Sequence, residues 1–216
     1  METNTNGKAK FVNMRIVFFG TPIFAATNLQ YLIKHGHDIV AVVSPPDSIK
    51  GRGKKITPCA VKETALLNNI PVLQPEKLQE LNFINTLKEL KSEIFIVVAF
   101  KMLPQVVWQI PKKGTINLHT SLLPNYRGAA PINWVLINGE QKTGITTFFI
   151  DENIDSGAII QQEKIKLNNE ITAAQLHEKL IYQGNNLLLS TLDSIQHNSI
   201  KGTPQKDIDT ILEAPK

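Results

Sequence analysis

Cysteine is almost missing from this 216-residue chain: Cys59 stands alone. A single thiol excludes an internal disulfide and any cysteine-only zinc site, and it suits a reducing compartment. Long apolar runs are missing too. The longest, Ile94 to Phe100, holds seven residues, whereas a membrane-crossing helix needs about 20. The first thirteen residues are polar and match neither a signal peptide nor an anchor. They are expected to form a disordered leader, with Met14, where the first strand pattern begins, as a candidate start. No membrane partner and a cytoplasmic location are the resulting expectations.

Several cofactor signatures are also missing. Gly20 is the only glycine directly after the first apolar run, and a dinucleotide fingerprint needs three spaced glycines there. The segment Gly51-Arg52-Gly53-Lys54-Lys55 does not match the Gly-x4-Gly-Lys-Ser/Thr phosphate loop. The five histidines are scattered, and none pairs with a second histidine and a carboxylate at metal-ligand spacing, so no metal site is expected. Internal repeats and low-complexity tracts are absent.

What remains is an ordinary globular balance, 42% hydrophobic and 19% charged, in a chain long enough to bury a core. The formal charge of +4 is weak support for a polyanionic partner on its own. Apolar runs at 15–19, 39–43 and 94–99 read as buried strands, with further strands at 115–118, 146–150 and 159–165. Helices are expected from Thr21-Pro22 to about His35, from Thr57-Pro58 to about Asn68, and over 81–90, 130–137 and 172–194, with Thr21 and Thr172 as caps. This alternation predicts an α/β fold: an open, mostly parallel sheet flanked by helices, its last strands partly antiparallel. The domain is expected over 14–202, with 203–216 a polar linker.

One segment departs from ordinary strand chemistry. In Asn117-Leu118-His119-Thr120-Ser121-Leu122-Leu123-Pro124 an apolar strand runs directly into polar residues. Asn117 and His119, two apart on a strand, share a face at a spacing of about 6.5–7 Å. They lie at the carboxyl end, where open α/β sheets place ligands. The amide is a fixed donor, and the imidazole can donate or exchange a proton near neutral pH. Downstream, Asp151 to Gly157 is turn-rich and acidic, so a carboxylate there can orient the ring. Spacing alone does not choose between Asp151 and Asp155.

At these residues the chain resembles the folate-dependent formyltransferase superfamily, through Asn-x-His-x-Ser-Leu-Leu-Pro and the later Asp-Ser-Gly. The likeness extends from Met14 to the tail. Within the superfamily it is most similar to the branch that formylates methionine on initiator tRNA. Phe19-Gly20-Thr21-Pro22-x-Phe24-Ala25, the stretch from Pro46-Asp47 through Lys55, and Tyr126 to Ile132 carry that finer likeness.

The resemblance implies a Rossmann-like formyltransferase fold and transfer of a formyl group from 10-formyltetrahydrofolate. It implies Asn117, His119 and Asp155 as the catalytic trio, which selects Asp155 over Asp151. It further implies a folate site built by Ser121, Leu122, Leu123 and Pro124 and by Phe100, Met102 and Leu103. The last three belong to a loop one residue shorter than in some relatives, and the Asp151–Asp155 loop is expected to close the opposite side.

The insertion from Pro45 to Thr57 carries Lys50, Arg52, Lys54 and Lys55 against Asp47, a net of +3. By the resemblance these four cations contact initiator methionyl-tRNA; the plain alternative is a solvated loop. Members of this branch carry a C-terminal OB-type barrel, absent from this chain, toward which 203–216 would lead. A monomer is expected. The rivals are relatives acting on glycinamide ribonucleotide or nucleotide-sugar amines, a formyltetrahydrofolate hydrolase, and a non-catalytic RNA-binding module.

Overall fold

In the computed structural model, residues 14–50, 55–168, 170–206 and 211–216 are described. The chain forms β1 (Arg15–Gly20), α1 (Ile23–Lys34), β2 (Asp38–Val43), β3 (Ser48–Lys50), β4 (Lys55–Thr57), α2 (Ala60–Leu67), β5 (Val72–Leu73) and α3 (Leu81–Glu89). It continues with β6 (Ile94–Val98), α4 (Gln105–Trp108), β7 (Thr115–His119), β8 (Arg127–Gly128) and α5 (Pro131–Ile137). Last come β9 (Lys142–Phe149), β10 (Ile159–Lys166), α6 (Ala173–Gln196) and β11 (Glu213–Ala214). Seven strands form one sheet in the order β10-β9-β7-β6-β1-β2-β5. Of these only β9 runs against the others, pairing antiparallel with both β7 and β10. Among the described residues no helix is long and apolar enough to cross a membrane.

The continuous apolar runs have a direct cause: the central strands are covered on both faces. Ile16 and Phe18 of β1, with Ile94, Ile96 and Val98 of β6, pack against α1, α2, α5 and α6. The alternate residues Val17, Phe19, Phe95 and Val97 enter a second core with Phe83 and Leu87 of α3 and Val107 of α4. Successive side chains of a strand point to opposite faces, so a strand buried on both sides must be apolar throughout. Each fully buried Phe or Ile contributes about 1.5–3 kcal/mol. Residues Phe18, Phe95, Ile94 and Ile96 are all fully buried.

Helix ends separate good local signals from weak ones. Thr172 caps α6 in a complete capping box: its side chain accepts from Gln175 N, and the Gln175 side chain accepts from Thr172 N. Thr21 does not cap α1. The N-cap position is Pro22, with no side-chain cap bond, and the helix instead starts because proline tolerates the position where backbone N–H groups lack partners. Cys59, not Thr57, precedes α2.

Two features were not visible as periodicity. The basic insertion emerges as an antiparallel β3–β4 hairpin with Lys50 opposite Lys55; Arg52 and Lys54 lie outside the described residues. The tail expected to be a linker returns to the domain. Thr203 bridges Ile159, β11 pairs in parallel with β8, and Trp134 Nε1 donates to the Pro215 carbonyl at 2.9 Å. This association runs mostly through hydrogen bonds, with Ala214 its one fully buried apolar residue among the described residues of 203–216, so it leaves no hydrophobic pattern in the sequence.

Candidate active site

The sheet switches direction between β1 and β6. From β1 the chain builds outward through β2 and β5, then returns to add β6 on the other side of β1. Open α/β sheets bind ligands at such a point. A cavity of about 910 Å³ lies here, walled by residues that follow β1, β6 and β7 and by the 150–155 loop.

On β7, Ile116 and Leu118 turn into the core beneath α1 and α6, which leaves Asn117 and His119 together on the opposite face. Both line the cavity. The Asn117 side-chain amide makes no hydrogen bond to a described residue and stands free to donate. His119 is 7% exposed. Its Nε2 lies 2.8 Å from the Tyr126 carbonyl. A carbonyl can only accept, so Nε2 carries a proton. Nδ1 is left as the nitrogen that exchanges a proton, and it lies 3.7 Å from Asp155 Oδ2. Phe148 meets the ring edge-on, with centroids 6.5 Å apart.

Asp155 arrives by an indirect route. In the β7–β9 register, Phe149 at the end of β9 lies opposite Ile116, and Thr146 lies opposite His119. The loop leaving β9 therefore starts about 10 Å from His119 along the strand and must fold back over the sheet face. Gly157 permits this, because a Cβ there would lie 1.7 Å from the Phe149 carbonyl oxygen. Asp151, the other acid of the loop, is used internally: its Oδ1 accepts from Asn153 N at 3.1 Å and Ser156 Oγ at 2.6 Å. Asp155 Oδ2 accepts the Gly128 N–H at 2.9 Å. Gly128 has φ +121 and faces the Ala214 carbonyl oxygen, 2.6 Å from where a Cβ would stand, so a side chain is excluded there.

The expected folate residues divide. Phe100, Met102 and Leu103 line the cavity, in a loop entered through Ala99 in the left-handed region at φ 47. Ser121, Leu122, Leu123 and Pro124 do not form its walls. Ser121 and Leu123 are buried, and the turn is tied inward: Ser121 Oγ donates to the Asn125 carbonyl, Thr146 Oγ1 to the Ser121 carbonyl, and Gln162 Nε2 to the Leu123 carbonyl. These bonds support the turn that presents Tyr126 to His119. Reasoning from the sequence missed Tyr126, Gly128 and Phe148 as contributors, two of them through backbone atoms that no residue type advertises.

Near the hairpin, Lys62 Nζ binds Asp47 Oδ2 at 2.6 Å and Gln74 Oε1 at 2.7 Å. Gln74 Nε2 donates to Asp47 Oδ1 and to the Pro45 carbonyl. The Lys62 ammonium, then the Gln74 amide, hold the Asp47 carboxyl below its ordinary range. The single acid of the insertion is thus committed to a lysine outside it. Among the described residues no group of three or more His, Cys, Asp or Glu is placed to hold a metal ion.

The fold and site define an open α/β domain equipped for carbonyl chemistry: a free amide donor and an imidazole–carboxylate pair facing one cavity at the sheet's switch point. The chain belongs to the formyl transferase family, whose model matches residues 14–192. It is 47% identical over 207 residues to the methionyl-tRNA formyltransferase of Bacteroides thetaiotaomicron and 50% identical over 203 residues to that of Flavobacterium johnsoniae. Each comparison covers 94% of this chain and 64% of the relative, so the chain spans less than two thirds of these curated relatives. Among solved structures, a phosphoribosylglycinamide formyltransferase from Anaplasma phagocytophilum has a TM-score of 0.73 at 21% identity, over 94% of this chain and 99% of that one. An N-formyltransferase from Helicobacter canadensis, solved with folinic acid and dTDP-3-aminofucose, has a TM-score of 0.69 at 24% identity, over 93% of this chain and 71% of that one. At these identities the structural likeness concerns the fold.

Proposed function

We propose that this chain transfers a formyl group from 10-formyltetrahydrofolate to the α-amine of methionine carried on initiator tRNA. The observation that carries the reading is the convergence of Asn117, His119 and Asp155 on one cavity of about 910 Å³. That volume lies within the roughly 300–1,000 Å³ of small-molecule sites. Phe100, Met102 and Leu103 on one side and Ile150 and Ile154 on the other suit a flat ring system. The choice of a tRNA-borne amine rests on the two curated relatives and on the basic hairpin.

The folate supplies an already activated formyl group. As the amine nitrogen bonds to the formyl carbon, negative charge develops on the formyl oxygen. The Asn117 amide and a protonated Nδ1 of His119 donate to it, each such donor being worth about 3–4 kcal/mol. Nε2 stays on the Tyr126 carbonyl, so the ring pivots little. Asp155, 3.7 Å from Nδ1, orients the ring and, through water, accepts the proton that the amine loses. The carbon–N10 bond then breaks and N10 takes up a proton, which balances the one released.

The test mixes the chain with 10-formyltetrahydrofolate and methionyl initiator tRNA and measures N-formylmethionine. Parallel reactions replace the tRNA with glycinamide ribonucleotide or a nucleotide-linked amino sugar. Formylmethionine from tRNA alone supports the reading. Faster formylation of either small amine overturns the choice of acceptor, and RNA binding with no folate affinity overturns the enzyme.

A further inference from the structure

The 3.7 Å separation between His119 Nδ1 and Asp155 Oδ2 depends on two segments far apart in the chain. Tyr126 and Gly128 hold the ring and the carboxylate from one side. The 151–157 loop delivers the carboxylate from the other. Asp155 is a non-glycine residue at φ 51, a conformation that persists only where neighbours over-determine it. Its own loop does little of that work: the Asp151 side chain organises Asn153 and Ser156 and leaves Asp155 untouched.

We propose that Gln205, in the tail, is a positioning residue for Asp155. Its Nε2 donates to the Asp155 carbonyl at 2.8 Å and to the Gly157 carbonyl at 2.9 Å, which clamps the loop on both sides of Ser156. Its Oε1 accepts from Arg127 Nη2 at 2.6 Å. Arg127 stands between Tyr126, whose carbonyl meets the imidazole, and Gly128, whose N–H meets the carboxylate. One side chain therefore spans the two segments whose relative position sets the imidazole–carboxylate distance. The surrounding tail reinforces the same place: Leu212 O accepts from Tyr126 N, and Ala214 O from Ala130 N.

The test uses two variants of the whole chain. Gln205→Met keeps the length and removes both donor and acceptor. Gln205→Glu keeps an oxygen for Arg127 and removes the N–H groups. Melting temperature confirms folding. Turnover and KM are measured in the formyl-transfer assay, and hydrogen exchange of the Gly128 amide is measured by NMR. Both variants are expected to lose kcat by about 10- to 100-fold, as a small misplacement of a reacting group does, with KM for the formyl donor within about twofold. The Gly128 amide is expected to exchange about tenfold faster, because its acceptor has moved.

Wild-type kcat in both variants, a kcat loss no larger than the loss of folded protein, or wild-type exchange at Gly128 overturns the assignment. The kinetic arm rests on the proposed formyl transfer, and the exchange arm does not. A wild-type chain that forms no formylated product sinks that reaction and leaves Gly128 exchange to decide the role of Gln205.

Discussion

Asp155 Oδ2 lies between two nitrogens, accepting from Gly128 N at 2.9 Å and facing His119 Nδ1 at 3.7 Å. The nearer partner is a backbone amide that cannot change its charge. The farther is the one whose protonation the chemistry needs.

Removing the charge while keeping the acceptor separates these roles. In Asp155→Asn the side-chain oxygen can still take the Gly128 N–H, but the imidazole loses its anion. Turnover in the formyl-transfer assay is expected to fall by about 10²-fold or more, as it should in His119→Ala. Unchanged melting temperatures would place the loss in chemistry. A His119→Ala enzyme with near-normal kcat would remove the proposed mechanism.

Asn117 offers a simpler case, because its amide has no described protein partner to lose. Asn117→Ala is expected to lower kcat by about 10²–10³-fold with little change in stability. A rise in KM at constant kcat would mean that the amide binds substrate without stabilising developing charge.

The hairpin should affect one substrate only. Arg52→Ala is expected to raise KM for tRNA and leave folate affinity unchanged. Loss of one phosphate contact should also flatten the dependence of log affinity on log salt by about 0.7–0.9. Lys62→Met, which releases Asp47 from its ion pair, should shift tRNA use in the same direction. Equal loss of folate and tRNA binding would count against the role given to the loop.

Tyr126 gives an alkaline signature. Burial, and then its hydrogen bond to Glu140, raise the phenol above its ordinary value of 10.0. A raised folded value means that this contribution is whole below about pH 10 and is lost as pH climbs through the folded value. Urea midpoints measured from pH 9 to 11 should fall less steeply in Tyr126→Phe than in the parent. Parallel slopes would show that the phenol does not contribute.

Much of this architecture could be read from residue order. β1 and β6 announce themselves because both faces are buried, and α6 because Thr172 and Gln175 form a local cap. The pair Asn117 and His119 follows from alternation along one strand. Asp155 was a different matter. Its loop is chosen by how β9 reverses and where Gly157 lets the chain return, and Asp151 is the equal of Asp155 in spacing. β8 and β11 are two residues each, and their pairing is a long-range backbone event with no side-chain rhythm. The Ser121–Pro124 turn stands outside the cavity wall for a related reason: a polar residue beside a site can serve the fold, as Ser121 does through Asn125.

The docking of 203–216 against β8 has a consequence for the order of events during synthesis. A chain grown to residue 200 already contains every side chain of the proposed chemistry and every strand of the large sheet. The Leu212–Asn125 bond spans 87 positions, so the last adjustment waits for a far later stretch to emerge and find its groove. A chain that ends at residue 200 lacks the Gln205 and Leu212 bonds to the 151–157 loop and to Asn125, so it is expected to turn over slowly in the formyl-transfer assay.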